Sequence, residues 1–117
     1  MGKTFRFVAV AGMATIATAL GGVSPAAAAM VRCQPDEVAV WPNRIHVRCE
    51  AATAGIAYFA VPVSDASHAA RMLSILSTAL VAGRSMLVIY EPSDTSGAEI
   101  GCPANNCRLL QGAAFGK

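Results

Sequence analysis

The sequence predicts a small α+β domain in which a curved antiparallel sheet packs against one amphipathic helix, with two disulfides. Three observations support this prediction. Several apolar runs have the alternation or continuity of strands, one stretch has the period of a helix, and four cysteines follow an apolar leader.

The leader occupies residues 1–29 and has the pattern of a signal peptide. Lys3 and Arg6 give a positive start, and residues 7–20 then carry no charge and are mostly Val, Ala, Ile, Met and Leu. A retained membrane anchor is the alternative, but the uncharged run is shorter than the roughly 20 residues that span a bilayer. We therefore expect no stable membrane insertion after processing.

Small residues at the end of the leader suit a signal peptidase, which places cleavage after Ala28 or Ala29. Residues 30–117 then remain as a single domain, and we expect this domain to be secreted or periplasmic. A domain of this length buries a small core and usually needs covalent stabilisation.

The charge of the predicted domain argues against nucleic-acid binding. Two of the nine Lys and Arg residues lie in the leader, so seven remain against seven Asp and Glu. Proteins that neutralise phosphates generally have a basic excess. The sequence therefore predicts no nucleic-acid partner.

All four cysteines follow the leader: Cys33, Cys49, Cys102 and Cys107. An even count in a small exported domain is typical of two disulfides. Of the three pairings we favour Cys33 with Cys49 and Cys102 with Cys107, because residues 41–43 and 103–106 place a turn inside each pair. A metal site is the alternative, but no Cys-x-x-Cys pair or zinc-like His spacing is present. Neither a metal nor a cofactor is expected.

Two strands are predicted before the helix. Residues 44–49 alternate, which is typical of a half-buried strand. Its apolar face is formed by Ile45, Val47 and Cys49. Residues 56–63 form a nearly continuous apolar run, typical of a central strand, which ends where Pro62 lacks a hydrogen-bond donor.

Residues 66–82 are predicted to form the helix. Ser64 and Asp65 supply an N-cap, and Gly83 suits the left-handed position that ends a helix. One stripe recurs at steps of three and four and is expected to pack on the sheet: Ala69, Leu73, Leu76 and Leu80. A third strand over residues 86–90 and a last strand over residues 108–113 follow.

Three donors share the polar face of the first strand: Arg44, His46 and Arg48. Together they could meet an anionic or polyhydroxyl ligand. The alternative is an ordinary solvent-facing side of an antiparallel sheet.

Two further features are candidate binding elements. Trp41, next to Pro42, is either an exposed stacking platform or part of the hairpin packing. Asp94, Thr95 and Ser96 lie in a polar loop that suits contacts with sugars or peptides, and the alternative is a simple turn.

Catalysis has little support in the sequence. His46 and His68 are the two histidines, and no Gly-x-Ser-x-Gly motif is present. His68 falls in the first turn of the predicted helix, where a solvated role is expected. We therefore predict that the protein is not an enzyme.

The order of strand, helix and Gly83, then residues 85–92 and the close pair Cys102 and Cys107, resembles the B subunits of bacterial AB5 toxins of the subtilase and typhoid type. The resemblance covers roughly residues 56–107. It implies a small antiparallel OB-like barrel and pentameric rings that bind cell-surface glycans without catalysis.

These observations predict an exported, non-catalytic binding module that contacts a glycan or another exported protein and that assembles as a homo-oligomer. The alternative is a stand-alone periplasmic or secreted protein with a structural or inhibitory role.

Overall fold

A computed structural model describes residues 28–116 of the chain. The predicted leader lies outside the described residues except for its last two alanines. The elements follow in chain order: β1 Ala29–Cys33, β2 Pro35–Trp41, β3 Arg44–Thr53, β4 Ile56–Pro62, α1 Ala66–Ala82, β5 Met86–Tyr90, a 3₁₀ helix Ser96–Ile100 and β6 Cys107–Ala114. In this part of the chain no helix is long and apolar enough to cross a membrane.

The six strands form one mixed sheet in the order β1-β5-β6-β4-β3-β2. The prediction of an antiparallel sheet is wrong for one pair, because β4 and β6 are parallel, with Tyr58 opposite Cys107 and Ala60 opposite Leu109. The physical reason is the long connection between them. Helix α1 and β5 intervene, so the chain crosses over and enters β6 from the same end as β4.

The two strands at the ends of this order are neighbours in the chain. Only Gln34 separates β1 from β2, although β1 pairs with β5 and β2 pairs with β3. The backbone N–H of Glu50, in β3, donates to the carbonyl of Gln34 at 2.9 Å. The sheet is therefore strongly curved, but in residues 28–116 no ladder joins β1 to β2 and the barrel is not closed.

Both predicted disulfides are confirmed. Cys33 and Cys49 join β1 to β3, with Cα atoms 5.2 Å apart. Cys102 and Cys107 have the same Cα separation of 5.2 Å and close the short loop that precedes β6. The first bond links the edge strand β1 to β3, the neighbour of the other edge strand β2, and the second fixes a loop on the surface of the sheet.

Helix α1 has the predicted ends. The carboxylate of Asp65 accepts a hydrogen bond from the His68 backbone N–H at 3.1 Å, and Gly83 ends the helix with φ of 64°. The predicted apolar stripe needs correction, since Leu73 and Leu80 are only half-buried. The buried residues are Ala69, Met72, Leu76 and Ala79. These four recur at steps of three, four and three, so they lie on one side of the helix as the inner stripe, and the two leucines flank it.

The main core lies inside the curve of the sheet, under α1. The predicted inner face of β3 is confirmed, with Ile45, Val47 and Cys49 buried. The Phe59 and Tyr90 rings pack edge to face with centroids 5.0 Å apart. This core fixes which face of each strand points outwards, and so it determines where the polar residues of β3 lie.

Candidate binding cleft

A cleft of about 270 Å³ opens on the face of the sheet opposite the main core. Its floor is formed by β3, β4 and β6, and its wall by the segment after the 3₁₀ helix. The lining residues are Arg44, His46, Tyr58, Ala60, Gly101, Pro103, Asn106 and Cys107.

A second, small core attaches the wall to the sheet. Ala60, Cys102 and Cys107 are buried together, and Tyr58 and Leu109 pack against them. This core is apolar and includes the disulfide itself. One side of the cleft is therefore anchored by a covalent bond and by burial, and it is not a free loop.

Arg108 ties the wall to the loop after β5. Its Nε donates to the Pro92 carbonyl at 2.7 Å, and its Nη1 donates to the carbonyls of Ala104 at 2.6 Å and Cys107 at 2.7 Å. Hydrogen bonds from a charged donor are stronger than neutral ones. One side chain thus joins two loops that have no strand pairing with each other among the described residues.

Arg44 enters the cleft from the start of β3. Its Nη1 donates to Asn43 Oδ1 at 3.1 Å and to the Ile100 carbonyl at 2.9 Å. Its guanidinium carbon stands 5.4 Å from the centroid of the Trp41 ring, within the range of a cation–π interaction. The guanidinium is therefore held by both the hairpin and the 3₁₀ helix.

His46 lies on the same face as Arg44 and pairs with an acid outside the cleft. Its Nε2 is 3.2 Å from Glu37 Oε1, on β2. The imidazole lies between two aromatic rings, with centroids 6.2 Å from Trp41 and 5.6 Å from Tyr58. These contacts limit its rotation and present one edge to the cleft.

Arg48, the third donor of the predicted basic face, does not line the cleft. Its Nε donates to Asp36 Oδ1 at 2.7 Å. This hydrogen bond and the charge of Asp36 raise the pKa of the guanidinium above its usual value. The positive charge of Arg48 is thus balanced at the surface by Asp36 of β2.

The predicted loop residues lie outside the cleft and shape the 3₁₀ helix. Asp94 Oδ1 accepts from the backbone N–H of Ser96 at 2.9 Å and from its hydroxyl at 2.6 Å. These hydrogen bonds lower the pKa of Asp94. Thr95 immediately precedes the 3₁₀ helix. The loop therefore directs the chain towards Ile100 and Gly101, which contact Arg44.

Five lining residues are not among the residues predicted from the sequence, and three of these bear on the chemistry of the cleft: Tyr58, Gly101 and Asn106. Tyr58 belongs to an apolar run, and only its hydroxyl group distinguishes it from the apolar residues around it. The sequence predicts Asn106 only as a turn residue, yet its Oδ1 is buried without a partner in residues 28–116. A glycine followed by a cysteine loop carries no pattern that identifies it as part of a site.

The cleft offers hydrogen-bond donors and aromatic surface. Among its lining residues there is no serine or threonine, and Cys107 is held in a disulfide. Within residues 28–116 no group of three His, Cys, Asp or Glu residues lies close enough together to hold a metal ion. The arrangement suits non-covalent binding of a small polar ligand.

Comparisons with known proteins add no assignment: no protein family, curated protein or solved structure matches the chain.

Proposed function

We propose that the protein is a non-catalytic binding module that holds a glycan in this cleft. The observation that carries the proposal is the convergence of Arg44, His46 and Tyr58 on one concavity, beside a Trp41 that is 46% exposed. Guanidinium, imidazole and phenol groups offer several donors to hydroxyl or carboxylate oxygens. An exposed tryptophan adds a flat apolar surface for one side of a sugar ring.

The absence of a serine, a threonine and a free cysteine among the lining residues supports binding over catalysis. His46 pairs with Glu37, as a general base would pair with an orienting acid, but the lining residues supply no hydroxyl of Ser or Thr for it to activate. The hydrogen bond to Glu37 then orients the imidazole as a donor or acceptor towards a ligand.

Export is the second part of the proposal. Two disulfides in so small a domain are typical of secreted or periplasmic proteins. The predicted signal peptide agrees with this location. Both features support a role outside the cytoplasm, where glycans and exported proteins are accessible.

An OB-like barrel is the fold that we propose for the curved sheet. If β1 and β2 are treated as one strand bent at Gln34, each strand has two neighbours and the order β1-β5-β6-β4-β3-β2 returns to its start. The resemblance to AB5 toxin B subunits implies the same barrel and adds a homo-oligomeric ring, which light scattering would detect.

A glycan array with the purified, oxidised domain tests the proposed function. We expect binding by the native protein and by an Arg71→Ala control, since Arg71 lies on α1 and bonds only Ser67 among the described side chains. Arg44→Ala should lose the signal without a matching loss of thermal stability.

The outcome that contradicts the proposal is an array without signal for the native protein. A monomer that binds no glycan would favour the stand-alone structural or inhibitory role instead. Equal binding by the Arg44→Ala and native proteins would move the site away from the cleft.

A further inference from the structure

We propose that the cleft recognises a carboxylated six-carbon sugar, a uronic acid, through one unoccupied edge of the Arg44 guanidinium. This inference rests on the proposed function and specifies its ligand class.

Some N–H groups of Arg44 already donate hydrogen bonds within the described residues, and others have no acceptor there. A guanidinium has five N–H groups, two of them on Nη1. Both Nη1 protons have acceptors, Asn43 Oδ1 and the Ile100 carbonyl. In residues 28–116 the structure records no acceptor for Nε or Nη2. These two atoms form one side of the guanidinium fork, whose parallel N–H bonds match the two oxygens of a carboxylate.

The neighbouring charges leave Arg44 as the uncompensated cation of the cleft. Arg48 is paired with Asp36 and His46 with Glu37. No carboxylate of residues 28–116 forms an ion pair with Arg44, so a ligand carboxylate would be its first. The contacts with Trp41 and Gly101 already fix the guanidinium, which reduces the entropy lost on binding.

The size of the cleft suits one sugar ring. Its volume of about 270 Å³ lies below the roughly 300–1,000 Å³ of sites that enclose drug-sized ligands. The floor argues against an extended peptide as the ligand. Strands β3, β4 and β6 each have a hydrogen-bonded neighbour on both sides, so they offer no free edge to an added strand.

A titration followed by ¹⁵N NMR tests the inference with four probes: sodium D-glucuronate, sodium D-galacturonate, D-glucose and an N-acetylglutamate amide. We expect at least one uronate to shift the Gly101 and His46 signals and to bind about 10-fold more tightly than glucose, as charge-assisted hydrogen bonds would give. Arg44→Lys keeps the charge but loses the fork, and it should weaken uronate binding about 10-fold. Arg71→Lys is the matched control and should bind as the native protein does.

A measurement on the native protein keeps the test decisive if the Arg44 variant folds poorly. Uronate affinity should fall when the salt concentration is raised from about 0.01 M to about 0.15 M, because ions screen an exposed charge pair, while glucose affinity should stay constant. A uronate affinity that salt leaves unchanged would overturn the inference. Equal affinities for glucose and the uronates, or unchanged affinity in Arg44→Lys, would overturn the inference. Tighter binding of the glutamate derivative than of either uronate would overturn the sugar assignment. If the array shows Arg44-dependent binding of neutral glycans only, this inference fails while the proposed function stands.

Discussion

The guanidinium of Arg44 lies directly against Gly101, so that a Cβ at position 101 would stand 2.8 Å from Arg44 Nη1. Gly101 also has φ of 95°, in the left-handed region that favours glycine. Position 101 therefore carries two independent requirements, one from its backbone and one from the arginine on β3. The wall of the cleft approaches its floor closely only because a glycine stands there.

Gly101→Ala should destabilise the protein more than Gly55→Ala does. Gly55 has φ of 83° but no atom within 4 Å of an added Cβ, so it measures the backbone cost alone, about 1–2 kcal/mol. Gly101→Ala adds the displacement of Arg44, about 1 kcal/mol more. Urea unfolding of both variants gives the difference. Equal losses would mean that Arg44 moves away without cost.

The two disulfides should contribute unequally to stability. Cys33 and Cys49 are 16 residues apart, and Cys102 and Cys107 are 5 apart. Loop entropy then gives about 3 kcal/mol for the first bond and about 2 kcal/mol for the second. Paired Cys→Ala variants, compared by urea unfolding, check this order. A larger loss for the shorter loop would indicate that its anchoring on Ala60 outweighs the entropy term.

Arg108→Ala should loosen the wall of the cleft. The variant removes three hydrogen bonds to the carbonyls of Pro92, Ala104 and Cys107, and we expect a loss of about 2 kcal/mol. Amide hydrogen exchange should accelerate in residues 103–107 more than in α1. Arg71→Ala serves as the control, since its bond to Ser67 is exposed. Uniform acceleration across the domain would contradict a local role.

The hydrogen bonds from Ser96 lower the pKa of Asp94 from its ordinary value of 3.8. The unfolded chain then binds this proton first as the pH falls. The stabilisation is therefore complete above about pH 4 and is lost at lower pH, through the folded-state pKa. Ser96→Ala should raise the pKa of Asp94, measured by carboxyl ¹³C NMR. An unchanged titration would show that the Ser96 hydroxyl does not hold the carboxylate in solution.

Side-chain truncations on the two faces of α1 should have different effects on stability. Leu76 is fully buried against the sheet, and Leu76→Ala should cost about 2–5 kcal/mol. Val81 is 86% exposed, and Val81→Ala should change the free energy of unfolding by less than about 0.5 kcal/mol. Thermal unfolding of the two variants provides the measurement. A large loss at Val81 would indicate that a second copy covers this face in solution.

Local patterns predicted the elements that have strong internal signals. The alternation in β3, the apolar run of β4 and the period, N-cap and C-cap of α1 each depend on neighbours a few residues away. The pairing of the cysteines was also predictable, because each pair encloses its own turn. In contrast, β1 and β2 gave no such signal. Pro35, Asp36 and Glu37 interrupt their alternation, and burial of these strands comes from distant partners.

The candidate site was predictable only in part. Arg44 and His46 share a face because side chains alternate along a strand, and the sequence alone determines this arrangement. Arg48 has the same spacing, yet Asp36 on β2 holds it outside the cleft. The roles of Gly101 and Asn106 were decided by the tertiary structure alone. The parallel pairing of β4 with β6 and the hydrogen bond from Arg108 to Pro92 bring the wall to the floor, and these contacts between distant segments leave no trace in local sequence patterns.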